Sequence, residues 1–258
     1  GIDSLDSDYA SAFNYKIQAL FFKLCYWVAD SCIIVSQSDL KNIFKVSSLK
    51  KKLSYSEHVI NTKLFIADVP KEKIFTSIVW MGDEGNVVRK GVDKALQIFA
   101  ELKKIPEFVD YRFVIIGRKG EGEVLVRSII DKYNLKGSVE LKGEVSEEDK
   151  INLLKQSKYY FQLSLYEGFG LAALEALCAN NIIIHSGKGG LANPIYKEQL
   201  LFDIDNDFDS ELLKLVNKLA CFTPITSYDN LLEYYDIQRR KDDFEAIIVN
   251  GKSNYKLK

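Results

Sequence analysis

Two carboxylates, Glu167 and Glu175, bracket a glycine-rich bend, Gly168-Phe169-Gly170, and the apolar run that begins at Leu171. Glu175 lies among Leu174, Ala176, Leu177, Cys178 and Ala179. A segment apolar on all sides reads as a buried helix. A lone carboxylate inside it is costly unless something satisfies it. Glu175 is therefore expected to face a polar cleft or to meet a cation. Gly168 and Gly170 allow the backbone to approach a ligand closely. At the start of a helix they would turn unpaired N–H groups, and the positive end of the helix dipole, toward the same cleft. Together these residues predict a site for an anion that carries hydroxyls, such as a sugar nucleotide.

The elements that must position this site alternate regularly. After Ala67-Asp68-Val69-Pro70-Lys71, which reads as a linker, strands are expected at 74–81, 112–116, 138–141, 159–163, 182–185 and 200–202. Helices are expected at 92–102, 123–133, 147–156, 171–179 and 209–220. The first of these carries Val92, Ala95, Leu96, Phe99 and Leu102 on one face. Ser146, followed three residues later by Asp149, looks like a helix start. Strands separated by helices imply an α/β fold with a Rossmann-like parallel sheet and right-handed crossovers. Such sheets bind ligands at the carboxyl ends of their strands, where both glutamates fall.

The first sixty or so residues read as part of a second Rossmann-like domain. Phe13, Ile17, Leu20, Phe21, Leu24 and Val28 fall at helical spacing. A strand at Cys32–Val35 follows, then a helix capped by Ser38 and running to about Val46, then a strand at Val59-Ile60-Asn61. Two short strands and two helices do not easily bury such faces alone. The expected organisation is 1–66 as a remnant of an N-terminal domain, 67–235 as the ligand-binding domain, and 236–258 as a tail returning toward the first part.

Composition narrows the function classes. With 47% hydrophobic and 28% charged residues the chain is of soluble globular type. A net charge of −1 gives no reason to propose nucleic acid as a partner. The basic runs Lys50-Lys51-Lys52 and Arg239-Arg240-Lys241 read as solvated surface, with peripheral contact with an anionic membrane as the alternative. Cys25, Cys32, Cys178 and Cys221 lack metal-ligand spacing and suggest no disulfide framework, so a cytoplasmic location is expected. His185, ending a core strand, reads as a satisfied structural histidine. The acidic residues Asp203, Asp205, Asp207 and Asp209 read as a turn rather than a metal site.

The Glu167-Gly168-Phe169-Gly170 run with Glu175 resembles the E-x7-E motif of retaining glycosyltransferases of family 4 type (glycosyl transferases group 1), which have the GT-B fold. Gly143 to Asp149, continuing through Leu153-Leu154, resembles the strand–turn–helix that precedes the motif. Ile182 to Ser186 and Gly189-Gly190-Leu191 resemble the strand and glycine turn that follow it. The likeness covers residues 75–220 and is fainter before them.

The resemblance implies a hexosyl- or other glycosyltransferase whose C-terminal domain binds a UDP- or GDP-linked sugar. In it, Glu167 would contact the donor sugar and Glu175 the nucleotide ribose. Lys90, in Arg89-Lys90-Gly91, would meet the donor phosphates, which makes Lys90 and Glu167 the candidate catalytic pair. Arg118 and Glu144 would lie near the base, and Gly168, Phe169, Gly170 and Leu171 would complete the donor site. No metal or cofactor is implied. The implied partners are the donor, a carbohydrate, lipid-linked or protein acceptor, and a missing N-terminal segment or partner chain. The implied setting is bacterial surface polysaccharide or glycoconjugate synthesis, on the inner face of the membrane or in the cytoplasm. One departure stands out. The family carries an Arg after the glycine that ends the first strand of this domain, whereas Gly82 is followed here by Asp83. Arg89 is the candidate substitute. The departure also keeps open, as the alternative, a non-catalytic glycosyltransferase-like accessory subunit. A sugar-nucleotide epimerase of the same fold is a third reading.

Overall fold

The computed structural model describes residues 20–21, 24–25, 27–35, 53–66, 69–222 and 229–250. The helix expected from Ser38, and the expected helical positions Phe13 and Ile17, lie outside them. The chain divides into two compact units, Gly1–Val59 with Asp236–Lys258, and Ile60–Tyr235.

The first unit holds two parallel strands, β1 (Cys32–Ile34) and β2 (Leu53–Tyr55), in the register Cys32↔Leu53 to Ile34↔Tyr55. The expected strand at Val59-Ile60-Asn61 is not formed; β2 comes earlier instead. The amide of Ile60 donates to the carbonyl of Tyr235, so this apolar stretch satisfies its backbone outside a sheet. The helix Ile237–Asn250 belongs to the same unit as β2. Its Asp243 accepts from the Ser56 hydroxyl (2.8 Å), and its Arg240 donates to the Glu57 carbonyl (2.7 Å). Leu20, Phe21, Leu24, Trp27 and Val28 are helical and all more than half exposed. Their spacing puts them on one side of a helix, a contiguous apolar surface of the kind that usually has a partner.

The second unit is a six-stranded parallel sheet. Its strands are β3 (Glu72–Ile78), β4 (Arg112–Ile116), β5 (Val139–Gly143), β6 (Ser157–Gln162), β7 (Ile182–His185) and β8 (Leu200–Leu201), in spatial order β5-β4-β3-β6-β7-β8. The helices between them are α1 (Glu84–Arg89), α2 (Val92–Leu102), α3 (Glu123–Lys132), α4 (Glu147–Gln156), α5 (Leu171–Cys178) and α6 (Phe208–Cys221), with α7 (Asp229–Tyr234) near the end of the unit. Alternation along the strands sorts the core into two layers. Phe75, Phe113, Ile115, Tyr159, Phe161 and Ile184 pack with α2, α3 and α6 on one face, centred on Phe75 stacked with Tyr159 (4.6 Å) and Phe161 (5.1 Å). Tyr160 and Ile183 pack with α4, α5 and α7 on the other.

Most expected elements are present, with shifts at their ends. β3 begins and ends earlier than 74–81. Val79 and Met81 instead bond to the carbonyls of Ile116 and Arg118, beyond regular pairing. Helix α1 replaces what reads as a loop. Its N-cap is Asp83, whose side chain accepts from the Asn86 amide (2.6 Å). Ser146 caps α4 as expected, accepting from the Asp149 amide (3.0 Å).

Candidate functional site

Chain order along the sheet reverses between β3 and β6. From β3 the chain winds outward through β4 and β5; from β6 it winds the other way through β7 and β8. The carboxyl ends of β3 and β6 therefore border the crevice at which such sheets usually bind ligands. Lys90 follows β3 through α1. Glu167 follows β6 directly.

Two features lock these loops together. The amide of Leu165 donates to the carbonyl of Arg89 (2.8 Å). Gly91, at φ 69°, leads into α2, and a Cβ there would lie 2.0 Å from the Leu163 carbonyl oxygen. Only glycine allows both this conformation and this approach. The result is a direct contact between the two expected catalytic residues: Lys90 Nζ lies 2.8 Å from Glu167 Oε2. Gln162 Nε2 (3.1 Å) and Ser164 Oγ (3.2 Å) donate to the same carboxylate oxygen. From behind, the amide of Gly190 donates to the Glu167 carbonyl (2.6 Å), so the glycine turn after β7 supports the loop.

Gly170, at φ 87°, opens α5. The first amides of that helix have no intrahelical acceptor and carry the positive end of its dipole. Glu175 lies one turn in. The cation it meets is Lys150 of α4, at 2.9 Å, which also pairs with Glu147 at 2.8 Å. Burial pushes the Glu175 carboxyl above the usual range, against the pull of the Lys150 hydrogen bond and charge. Burial works to lower the Lys150 ammonium, but its bonds to Glu147 and Glu175 outweigh that and leave it raised. The pair is an ammonium held between two carboxylates.

The remaining expected site residues fall into place less uniformly. Arg89 donates to Asn86 Oδ1 (2.6 Å) within its own helix. Arg118 and Glu144 stand exposed just past β4 and β5, one and two strands away from β3. Gly168 lies in the bend, and Leu171 is exposed at the first turn of α5. The Phe169 ring is buried in the core near Tyr235 (6.3 Å between centroids), leaving its backbone as the part that can face a ligand. His185 requires a correction. It is buried, but among the described residues neither ring nitrogen has a hydrogen-bond partner. Burial drives its pKa down to about 4, with the Lys218 charge assisting. Asp203 and Asp205 pair with Lys188, and Asp207 caps α6.

Sequence reasoning missed Lys150, Gln162 and Ser164. Lys150 sits in a charged stretch and reads as solvated surface. Gln162 and Ser164 carried a signal: polar residues two apart on one face of an otherwise apolar strand.

A cleft with a committed carboxylate, an ammonium beside it and helix amides facing the same space can hold a polyhydroxylated anion. Comparison with known proteins gives the family and the fold. The model of the family Glycosyl transferases group 1 matches residues 85–220, more than half of the chain, and this chain belongs to that family. It is similar to the GDP-mannose:cellobiosyl-diphosphopolyprenol alpha-mannosyltransferase of Xanthomonas oryzae pv. oryzae, 32% identical over 163 residues, which cover 55% of this chain and 40% of that protein. It is also similar to the Phosphatidylinositol N-acetylglucosaminyltransferase GPI3 subunit of Saccharomyces cerevisiae, 27% identical over 129 residues, which cover 50% of this chain and 28% of that one. The chain thus spans less than half the length of these two relatives. Among solved structures, Anabaena HepE in complex with UDP-glucose superposes with a TM-score of 0.74 at 13% identity, over 95% of this chain and 70% of that one. TarM superposes with a TM-score of 0.69 at 19% identity, over 95% of this chain and 47% of that one. At such identities the likeness establishes the fold, that of the GT-B glycosyltransferases.

Proposed function

We propose that this chain is the donor-binding part of a retaining GT-B glycosyltransferase. It binds a UDP- or GDP-linked sugar and supports transfer of the sugar to a carbohydrate, lipid-linked or protein acceptor in the synthesis of a bacterial surface polysaccharide or glycoconjugate. The observation that carries this reading is the contact between Lys90 and Glu167 at the reversal of strand order, beside the first turn of α5. The reaction expels a nucleoside diphosphate, whose growing charge calls for an ammonium and oriented amides. The sugar must be held in one orientation, which a fixed carboxylate can do. Among the described residues no group offers an evident nucleophile, which suits front-face attack assisted by the leaving phosphate. The names of the relatives fit: one is a GDP-mannose-dependent transferase, and HepE was crystallised with UDP-glucose. This reading needs no metal.

The test is calorimetric titration of the 258-residue chain with UDP, GDP and their glucose and mannose conjugates, with and without EDTA. Micromolar binding that survives EDTA is expected, with little or no sugar transfer until the chain is extended at its N-terminus. Absence of binding to every member of the panel would sink the proposal.

One observation favours a second reading, a glycosyltransferase-like accessory subunit that binds donor without turnover. Asp83 stands where the family carries an arginine, and its carboxylate caps α1. Turnover by the extended chain would exclude it.

A further inference from the structure

We infer that Gln162 is the positioning residue that decides which oxygen of Glu167 meets the ligand; the inference rests on the donor-binding reading above. Tyr160, Gln162 and Ser164 lie two apart along and just past β6, and all three are buried. A buried primary amide is costly unless its donors and its acceptor all find partners. Here they do, in one direction only. The amide of Ile78 on the neighbouring strand β3 donates to the Tyr160 hydroxyl oxygen (3.3 Å). That leaves the Tyr160 proton to donate to Gln162 Oε1 (3.2 Å). With its carbonyl so occupied, the Gln162 amide turns Nε2 toward Ser164 Oγ (2.9 Å) and Glu167 Oε2 (3.1 Å). The flipped amide would set a carbonyl oxygen against a carboxylate and strand the tyrosine proton.

The backbone of β3 thus sets the tyrosine, the tyrosine sets the glutamine, and the glutamine sets Glu167. Lys90 and Ser164 complete three donors on Oε2. Among the described residues no donor reaches Oε1. Oε2 is held by the protein, and Oε1 is the oxygen offered to sugar hydroxyls. Gln162 acts without touching the ligand. Its influence falls on the sugar and not on the nucleotide.

Two measurements test this. The first needs no ligand: the side-chain amide of Gln162 should give a separate 1H–15N signal that shifts on Glu167→Gln, a change that leaves β6 intact. The second compares affinities for UDP-glucose against UDP, and for GDP-mannose against GDP. In Gln162→Met, which keeps length but has no donor, the gain in affinity from the sugar should fall about tenfold, the weight of one hydrogen bond to a charged group. Affinity for the bare nucleotides should hold. Gln162→Glu, which opposes two carboxylates, should do at least as much damage. Equal loss for sugar-bearing and bare nucleotides would make Gln162 a packing residue. An amide signal indifferent to Glu167→Gln would overturn the assignment outright. If the wild type gains no affinity from either sugar, the donor-binding reading falls, and the spectrum alone decides whether Gln162 orients Glu167.

Discussion

Lys150 Nζ lies 2.9 Å from each carboxylate oxygen of Glu175, one turn inside α5. Both side chains are largely buried, so each depends on the other. On the donor-binding reading Glu175 therefore has two duties, which can be separated. Glu175→Ala should weaken nucleotide binding roughly tenfold and cost about 1–3 kcal/mol of stability. The double variant Lys150→Met/Glu175→Gln should recover most of the stability by removing both charges, yet still bind nucleotide weakly. Wild-type affinity in the double variant, measured by calorimetry, would reduce Glu175 to a structural role.

Lys90→Ala should weaken binding of UDP and GDP more than binding of uridine and guanosine, because an ammonium addresses phosphates as a point charge. Titrations with all four ligands check this. Equal losses would mean that Lys90 acts only by holding Glu167.

His185 predicts sensitivity to acid. Its pKa is depressed from 6.5 to about 4 by burial, so the unfolded chain takes up a proton that the folded chain refuses. Its contribution is complete above pH 6.5 and is lost as the pH falls toward 4. The loss amounts to about 3 kcal/mol. Urea midpoints at neutral pH and near pH 4.5 should differ less in His185→Gln than in the wild type. An unchanged difference would assign the acid sensitivity elsewhere.

The architecture around these residues was largely legible in the sequence. Helix α2 and helix α4, with strands β4 and β7, fall where apolar periodicity and the Ser146 cap put them. Helix α1 was not legible. It is short, contains Gly85 and buries only Val87, so no periodic face announces it; the Asp83 cap holds it. β2 is three residues long, too short for a pattern to register. The pairing of Lys90 with Glu167 could be placed in one crevice from topology, but not in contact. Contact depends on a backbone bond from Leu165 to Arg89 and on the space above Gly91, neither of which any pattern encodes. Lys150 was hidden because a lysine after three acids looks like surface.

Lys71 supplies a prediction about the opposite end of the sheet. Its ammonium donates to the carbonyls of Leu154 (3.3 Å), Lys155 (2.9 Å) and Ala179 (2.5 Å), which end α4 and α5. These helices carry Lys150 and Glu175. Lys71→Met leaves the carbonyls short of a donor and should cost about 1–3 kcal/mol. Nucleotide affinity below the melting transition should be nearly unchanged. Thermal melts with and without UDP distinguish this from a direct effect on the site.

The ion pair between Lys90 and Glu167 cancels its own charge before any ligand arrives. From beyond a Debye length, about 8 Å at physiological salt, the pair presents almost no field to a polyanion. Any long-range attraction of an anion toward the cleft must therefore come from charges other than this pair. The pair acts at contact only, by orienting what has already arrived.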